Sequence, residues 1–121
     1  IKSLYNYHIS HGKIGTVSAV RPLVRFGKLE INGNSVKSFR KYESPKEGWI
    51  DGGFFVFTKH IFNYLEDIDK TSMFEGSPLE HLSSDGELNA YKHKGYWQCI
   101  DTYRDLVKVN KDLKIKEKLW I

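Results

Sequence analysis

The stretch WIDGGFFVF, residues 49–57, is the most hydrophobic strand-like run of the sequence, and two adjacent glycines interrupt it. Aromatic and β-branched residues in a short apolar run predict a buried β-strand. Glycine weakens a strand unless another backbone or a ligand must approach closely. Gly52 and Gly53 therefore indicate either a β-bulge or a ligand-facing floor, and the residues alone leave these interpretations equal. Asp51 precedes them and would aim a carboxylate into the same space.

The sequence before this strand has the pattern of an α/β protein. Residues 1–11 carry apolar side chains near helical spacing, and Gly12 predicts the end of a helix. Residues 13–21 are rich in β-branched side chains, which predicts a buried strand. A helix, a short turn and an apolar strand in succession are typical of an α/β layer.

Other elements are predicted from turn and cap signals. Asn32-Gly33 between two alternating segments predicts a β-hairpin over residues 27–39, and residues 41–48 form a polar loop. Later elements are a short helix capped by Thr58, a helix capped by Ser77 with Pro78 in its first turn, two short strands around Lys94-Gly95, and a last helix lined by Leu106, Val109, Leu113 and Trp120.

Composition limits the possible functions. The 121 residues suffice for one domain, and 19 basic against 15 acidic residues give a net charge of only +4. Acidic residues interrupt the basic tail, residues 108–118, so a solvated helix face is favoured over a nucleic-acid surface. The single cysteine excludes an internal disulfide, and no apolar run approaches 18 residues. We therefore expect a soluble cytoplasmic protein that binds neither nucleic acid nor membrane.

Histidine and cysteine chemistry is weakly indicated. His8 and His11 lie three residues apart on the first helix, but a zinc site needs three or four convergent ligands, so a surface pair is predicted. Cys99 lies in an apolar run with no neighbour that lowers a thiol pKa, so an inert thiol is predicted.

Two candidate ligand contacts remain open from the residues alone. Residues 21–27, RPLVRFG, leave a predicted strand end with two arginines, and Arg25 would suit a phosphate, although a solvated loop is the commoner case. Asp101, in GYWQCIDTYRD (residues 95–105), directly precedes the last helix. Either Asp101 or Thr102 would cap that helix, since Asp and Thr are common cap residues, and Asp101 can also be a metal ligand.

Four motifs together resemble one family. RPLVRFG, WIDGGFFVF, residues 78–105 (PLEHLSSDGELNAYKHKGYWQCIDTYRD) and the closing KLW (residues 118–120) are similar to the C-terminal half of the glucose-1-phosphate cytidylyltransferases. These enzymes belong to the sugar-phosphate nucleotidyltransferases. The resemblance implies a partial Rossmann-like fold, with a mixed sheet, flanking helices and a β-hairpin.

The resemblance also implies an activity. The family joins CTP and glucose 1-phosphate to give CDP-glucose and pyrophosphate with Mg²⁺, for deoxysugars of surface polysaccharide such as O-antigen. In the family's Trp-Gln-x-x-Asp-Thr motif the aspartate binds the metal, and this position is Asp101. The double-glycine strand holds the sugar ring, which implies that Gly52 and Gly53 bind substrate.

Three positions depart from the family pattern. With Phe39 and Trp49 aligned, the family's Glu, which contacts sugar hydroxyls, falls on Lys41, and its Lys, which contacts the sugar phosphate, falls on Tyr42. Both residues stay candidates for substrate binding. Asp51 stands where the family commonly has Asn.

The resemblance further implies that residues 1–121 are the sugar-binding half, that the nucleotide-binding half is absent, and that this chain alone is inactive. It implies a homo-oligomer. The alternative is a non-catalytic domain that binds sugar phosphate or drives oligomer assembly, which the three departures favour. A nucleic-acid-binding module that uses the basic tail is a weak third possibility.

Overall fold

The computed structural model describes residues 1–45, 47–66 and 73–115, apart from the side chains of residues 25, 26 and 42–45. These residues divide into two units, the first within Ile1–Val20 and Ile50–His93 and the second within Arg21–Trp49 and Lys94–Ile121. The predicted α/β class is confirmed, with a mixed sheet, helices and a hairpin. None of the helices in the described ranges has the length and apolar character needed to cross a lipid bilayer.

The first unit contains a three-stranded mixed sheet whose strands are, in spatial order, β4 (Ile50–Phe57), β1 (Gly15–Val20) and β5 (Leu88–Lys92). Its central strand β1 runs antiparallel to β4 and parallel to β5. The elements in chain order are α1 (Lys2–His11), β1 (Gly15–Val20), β4 (Ile50–Phe57), a 3₁₀ helix (Lys59–Tyr64), α2 (Ser77–Ser84) and β5 (Leu88–Lys92).

The predicted first helix and buried strand are both confirmed. Gly12 follows α1 with φ +70°, the left-handed conformation of a glycine helix stop. Five of the six β1 residues are buried because β1 is the central strand. Leu82 of α2 is fully buried and packs at Gly15, where an added Cβ would lie 2.9 Å from its Cδ2.

The strand β4 is less buried than predicted. Only Gly52 is buried along it, and the side chains of Asp51 and Phe54 are exposed. In the described sheet β4 is an edge strand, so it has only β1 as a neighbour. The register shifts between Val17 and Ala19, because Val17 pairs with Phe55 and Ala19 with Asp51. The two glycines therefore lie in a β-bulge.

The second unit contains the predicted hairpin, which is longer than expected. Its strands β2 (Leu23–Asn32) and β3 (Ser35–Pro45) pair antiparallel through a two-residue turn at Gly33 and Asn34. Gly33 has φ +59°, as such a turn requires. The predicted loops at residues 21–27 and 41–48 are mostly wrong, because Leu23–Gly27 pairs with Lys41–Pro45 and extends both strands.

The chain after β5 forms one irregular segment and one helix. The two short strands predicted around Lys94-Gly95 are wrong beyond Lys92, since residues 93–102 form no helix or strand. The helix α3 (Tyr103–Ile115) follows as predicted. On it Val109 is buried and Leu113 half-buried, whereas Leu106 is 42% exposed; Trp120 lies outside the described residues.

The two histidines of α1 are joined by one hydroxyl rather than forming a surface pair. The backbone N–H of Lys13 donates to His11 Nδ1 at 3.0 Å, so a neutral His11 carries its proton on Nε2. The Nε2–H group of His11 then donates to Thr16 Oγ1 at 2.6 Å. The Thr16 hydroxyl then donates its proton to His8 Nδ1 at 2.8 Å. His8 is only 5% exposed. Thus His8 is held neutral inside the fold.

Stability is expected to decrease in mild acid because of His8. Burial, followed by the nearby His11, lowers the pKa of His8 below its ordinary value of 6.5. The unfolded chain therefore binds the proton first, and the stability present above pH 6.5 is lost as the pH falls toward the folded-state pKa. Urea unfolding between pH 7.5 and 5 measures this loss. His8→Gln should reduce the pH dependence and His60→Gln, at an exposed site, should not; equal slopes in both variants would contradict the assignment.

Candidate functional site

The cap of α3 is formed by Thr102 and Asp105, not by Asp101. The backbone N–H of Asp105 donates to Thr102 Oγ1 at 3.2 Å. In return, Asp105 Oδ2 accepts from the Thr102 hydroxyl at 2.8 Å and from the backbone N–H groups of Thr102 and Asp101 at 3.0 and 3.3 Å. These bonds form a reciprocal capping box in which Asp takes the place of the usual Glu. They also lower the pKa of Asp105, with the Thr102 side chain as the largest cause.

The carboxylate of Asp101 is therefore left outside the cap. It is exposed, and its Oδ2 accepts a hydrogen bond from the Cys99 thiol at 2.9 Å. This bond is the largest cause that raises the pKa of Cys99. The prediction of an unreactive thiol is consistent with this direction, because the thiolate is the nucleophilic form.

The carboxylate of Asp101 is a ligand of the type that a divalent cation takes, and the helix cap does not use it. In the part of the chain that the structure describes, no three His, Cys, Asp or Glu side chains converge to hold a metal. Mg²⁺ does not require such a group, since it usually keeps several waters and takes one or two carboxylates plus substrate phosphates. Asp101, which is exposed, offers one such carboxylate.

Stability measurements separate the cap from the candidate ligand. Thr102→Ala removes the hydroxyl that caps α3 and is expected to cost about 1 kcal/mol of unfolding free energy. Asp101→Asn leaves the box intact and is expected to cost less than about 0.5 kcal/mol, as for an ordinary surface substitution. Urea denaturation of both variants checks this order. A larger loss of unfolding free energy in Asp101→Asn than in Thr102→Ala would show that Asp101 contributes to the cap.

The two glycines of the bulge have different surroundings. A Cβ on Gly52 would lie 2.7 Å from Ser18 Oγ and 2.9 Å from Val20 Cγ1, so the close backbone approach there is to β1. A Cβ on Gly53 would meet nothing within 4 Å. Gly53 is exposed and has φ +82°. The bulge interpretation therefore accounts for Gly52, while the open side of the strand is at Gly53.

Asp51 holds the bulge in place. Its Oδ1 accepts a hydrogen bond from the backbone N–H of Gly53 at 2.6 Å, and Ser18 Oγ accepts from the N–H of Phe54 at 3.1 Å. These are donors that the register shift removes from the strand ladder. An Asn at position 51 has the same acceptor oxygen, so this contact does not distinguish Asp from Asn.

The candidates Lys41, Tyr42 and Arg25 lie in the hairpin. Position 41 pairs with Gly27, position 42 with Phe26, and position 25 with Glu43. Positions 25 and 41 therefore belong to one face of the hairpin and position 42 to the other. The Lys41 side chain is exposed, and the side chains of Arg25 and Tyr42 lie outside the described part. Arg25 does not follow a strand end, so that argument for phosphate recognition fails.

Two features of the sites were not predicted from the sequence. Ala19 pairs with Asp51 on one side and with Lys92 on the other, so Lys92 lies in the same row of the sheet as Asp51. Pairing between strands so far apart in the chain leaves no local signal. Gln98 and Lys108 also form a contact, at 2.6 Å, between the segment that carries Asp101 and α3.

The structure thus groups the predicted residues within each unit. In the first, the bulge brings Asp51, Gly52 and Gly53 together at the edge strand. In the second, Asp101 lies in the irregular segment and Lys41 in the hairpin.

Comparison with known proteins gives the relationships of the chain. It is 39% identical over 117 residues to a probable glucose-1-phosphate cytidylyltransferase of Bacillus subtilis (strain 168), which covers 97% of this chain and 45% of that protein. It is 39% identical over 107 residues to the glucose-1-phosphate cytidylyltransferase of Salmonella typhimurium, which covers 88% of this chain and 41% of that protein. No protein-family model matches the sequence.

A solved structure shares the fold. It is a crystal structure of a protein assigned as a glucose-1-phosphate thymidylyltransferase from Bacillus anthracis, in complex with a sucrose. The TM-score is 0.65 with 15% sequence identity, over 98% of this chain and 50% of that one, and at this identity the likeness establishes the fold alone. The chain spans less than half the length of the two curated relatives above, and over that span it is homologous to the glucose-1-phosphate cytidylyltransferases, which are sugar-phosphate nucleotidyltransferases.

Proposed function

We propose that this chain supplies the sugar-phosphate-binding and metal-binding part of a glucose-1-phosphate cytidylyltransferase. The observation that carries the proposal is the 39% identity over 97% of the chain, together with an Asp101 carboxylate that the helix cap does not use. The rest of the relatives' length would supply the nucleotide-binding half.

The reaction is an in-line displacement at phosphorus. A phosphate oxygen of glucose 1-phosphate forms a bond to the α-phosphorus of CTP, and the bond from that phosphorus to the β-phosphate oxygen breaks. The products are CDP-glucose and pyrophosphate, and no covalent bond to the protein is made. Positioning and charge stabilisation therefore provide the catalysis.

Asp101 is the residue of this chain that would hold the metal. When bound, Mg²⁺ neutralises the charge that develops on the phosphate oxygens. A carboxylate is the hard oxygen ligand that Mg²⁺ prefers. Thr102 and Asp105 fix the backbone of Asp101 and thereby limit the positions that its side chain can take.

The open glycine of the bulge would carry the sugar ring. A side chain at Gly53 would meet no atom within 4 Å of its Cβ, so a ring can approach the backbone there closely. The second oxygen of the adjacent Asp51 carboxylate would accept a bond from a sugar hydroxyl. Within the second unit, taken by itself, the hairpin carries Lys41, whose side chain is exposed, and Arg25 on the same face, and these two with Tyr42 stay the candidates for contact with a phosphate group.

A non-catalytic sugar-phosphate-binding or oligomer-forming domain is the second candidate function. The observation that favours it is the composition at positions 41 and 42, where Lys41 replaces the carboxylate of the family pattern and Tyr42 replaces its ammonium. The cytidylyltransferase proposal also includes assembly into a homo-oligomer, a cytoplasmic location and a role in the synthesis of surface polysaccharide. The chemistry of the reaction does not require these three properties.

An activity assay on the full-length protein separates the two functions. With CTP, glucose 1-phosphate and Mg²⁺, we expect CDP-glucose and pyrophosphate in equal amounts. Glucose without its phosphate should give no product, since it lacks the attacking oxygen. Binding of glucose 1-phosphate without turnover of CTP, ATP, GTP, UTP or dTTP would contradict the enzyme and support the non-catalytic domain.

A further inference from the structure

The irregular segment that carries Asp101 is attached to one face of α3. Residues 94–102 form no helix or strand, although the Thr102 carbonyl accepts a helix-type hydrogen bond from the backbone N–H of Leu106 at 3.2 Å. Three residues of α3 contact the segment through their side chains, namely Asp105, Lys108 and Asp112. They are spaced i, i+3 and i+7, so they lie along one side of the helix. We name this set the polar face of α3.

Each residue of the polar face of α3 holds a different part of the segment. Asp105 accepts the backbone N–H groups of Asp101 and Thr102. At the far end, the Tyr96 hydroxyl donates to Asp112 Oδ2 at 3.2 Å. The segment is therefore attached at both ends, and Lys108 lies between these attachments.

Lys108 contacts the middle of the segment at Gln98. Its Nζ donates to Gln98 Oε1 at 2.6 Å, and Gln98 Nε2 donates to the carbonyl of Cys99 at 2.9 Å. The Cys99 thiol in turn donates to Asp101 Oδ2. Three hydrogen bonds, joined by the covalent structure of Cys99, thus connect Lys108 with the Asp101 carboxylate.

The burial of these groups argues against an accidental surface contact. Both Lys108 and Gln98 are half-buried, although exposed lysines are the rule and fixing a lysine side chain has an entropic cost. A hydrogen bond from an ammonium is about twice as strong as a neutral one, which helps to offset that cost. The neighbouring Lys111 is exposed.

We propose that Lys108 is a positioning residue for Asp101, which it orients through Gln98 and Cys99 toward a divalent cation. The inference rests on the proposed function, because it takes Asp101 as the metal ligand. Lys108 itself contacts neither metal nor substrate. Loss of an outer-shell partner of this kind lowers metal affinity by about 10- to 100-fold.

The test is a titration of the ¹⁵N-labelled full-length protein with Mn²⁺ alone, followed by paramagnetic broadening of the backbone amides of Asp101 and Thr102. The variants are Lys108→Met, which removes the ammonium and keeps most of the side-chain length, and Lys111→Met as the matched control on the same helix. Gln98→Leu breaks the same contact from the other side and leaves α3 intact. Circular dichroism shows that each variant is folded before the titration.

We expect Lys108→Met and Gln98→Leu each to weaken Mn²⁺ binding by about 10-fold or more, with no change in Lys111→Met. The double variant should be no weaker than either single one, because both changes break one contact. A structural role alone would lower the unfolding midpoint without changing the Mn²⁺ affinity of the folded chain, and that result would overturn the proposal.

Asp101→Asn distinguishes this proposal from the proposed function. If Asp101→Asn loses Mn²⁺ binding while Lys108→Met and Gln98→Leu retain wild-type affinity, the positioning role is wrong and the metal ligand stands. If Asp101→Asn also retains wild-type affinity, the metal-ligand assignment is wrong, and the positioning role toward a metal is overturned with it.

Discussion

Asp101→Asn in the full-length protein is expected to lower turnover roughly 100-fold or more, and to raise the Mg²⁺ concentration needed for half-maximal rate. The amide keeps the size of the carboxylate but has no charge, so it is a poor ligand for a hard divalent cation. The fold should be unchanged because the cap of α3 uses Thr102 and Asp105 instead. Steady-state rates over a range of Mg²⁺ concentrations measure both effects.

Glu80→Gln is the matched control for this change. Glu80 is an exposed carboxylate on α2, in the other unit, so its neutralisation alters the net charge equally and leaves the segment before α3 untouched. We expect wild-type kinetics in this variant. Wild-type turnover and an unchanged Mg²⁺ requirement in Asp101→Asn would show that Asp101 is not a metal ligand.

Gly52→Ala is expected to destabilise the fold by about 1–3 kcal/mol, the usual cost of overpacking a filled site. The new Cβ would lie 2.7 Å from Ser18 Oγ, 2.9 Å from Val20 Cγ1 and 3.2 Å from the Ser18 carbonyl. Val20 is 1% exposed and Ser18 is 6% exposed, so neither can move aside without disturbing the core. Denaturant unfolding of the chain measures the loss.

Gly53→Asn is the contrasting change in the same bulge. A Cβ there meets open space, and asparagine adopts the left-handed region more easily than most residues, so the cost should be below about 1 kcal/mol. In a sugar-binding floor, however, its side chain would occupy the open side and weaken glucose 1-phosphate binding. Equal destabilisation by the two substitutions would show that the bulge is not packed as described.

The elements with local signals were predictable from the sequence. Gly12 ends α1 in the left-handed conformation, and a two-residue turn with Gly33 joins the hairpin strands. The hairpin is longer than predicted because Leu23–Gly27 pairs with Lys41–Pro45. Polar composition predicted a loop at residues 41–48, and the place after a predicted strand end predicted one at residues 21–27, but pairing between the strands outweighed these local signals.

The candidate sites were predictable only where the chemistry is carried by consecutive residues. Asp101 before a helix was a candidate for cap or metal ligand; the mutual hydrogen bonds of Thr102 and Asp105 argue against the cap, and the ligand role stays a prediction. Asp51 has a role at the bulge that its sequence position alone does not give. The contact between Lys108 and Gln98 joins a helix to an irregular segment, and no pattern in the sequence indicates such a pairing.

Crystals grown with Mn²⁺ and glucose 1-phosphate, with an anomalous difference map recorded for manganese, test the assignment of Asp101 most directly. We predict an anomalous peak at about 2.0–2.2 Å from an Asp101 carboxylate oxygen, with a sugar-phosphate oxygen in the same coordination shell. A manganese peak that is coordinated by other residues, with Asp101 pointing away, would contradict the role that we assign to this carboxylate.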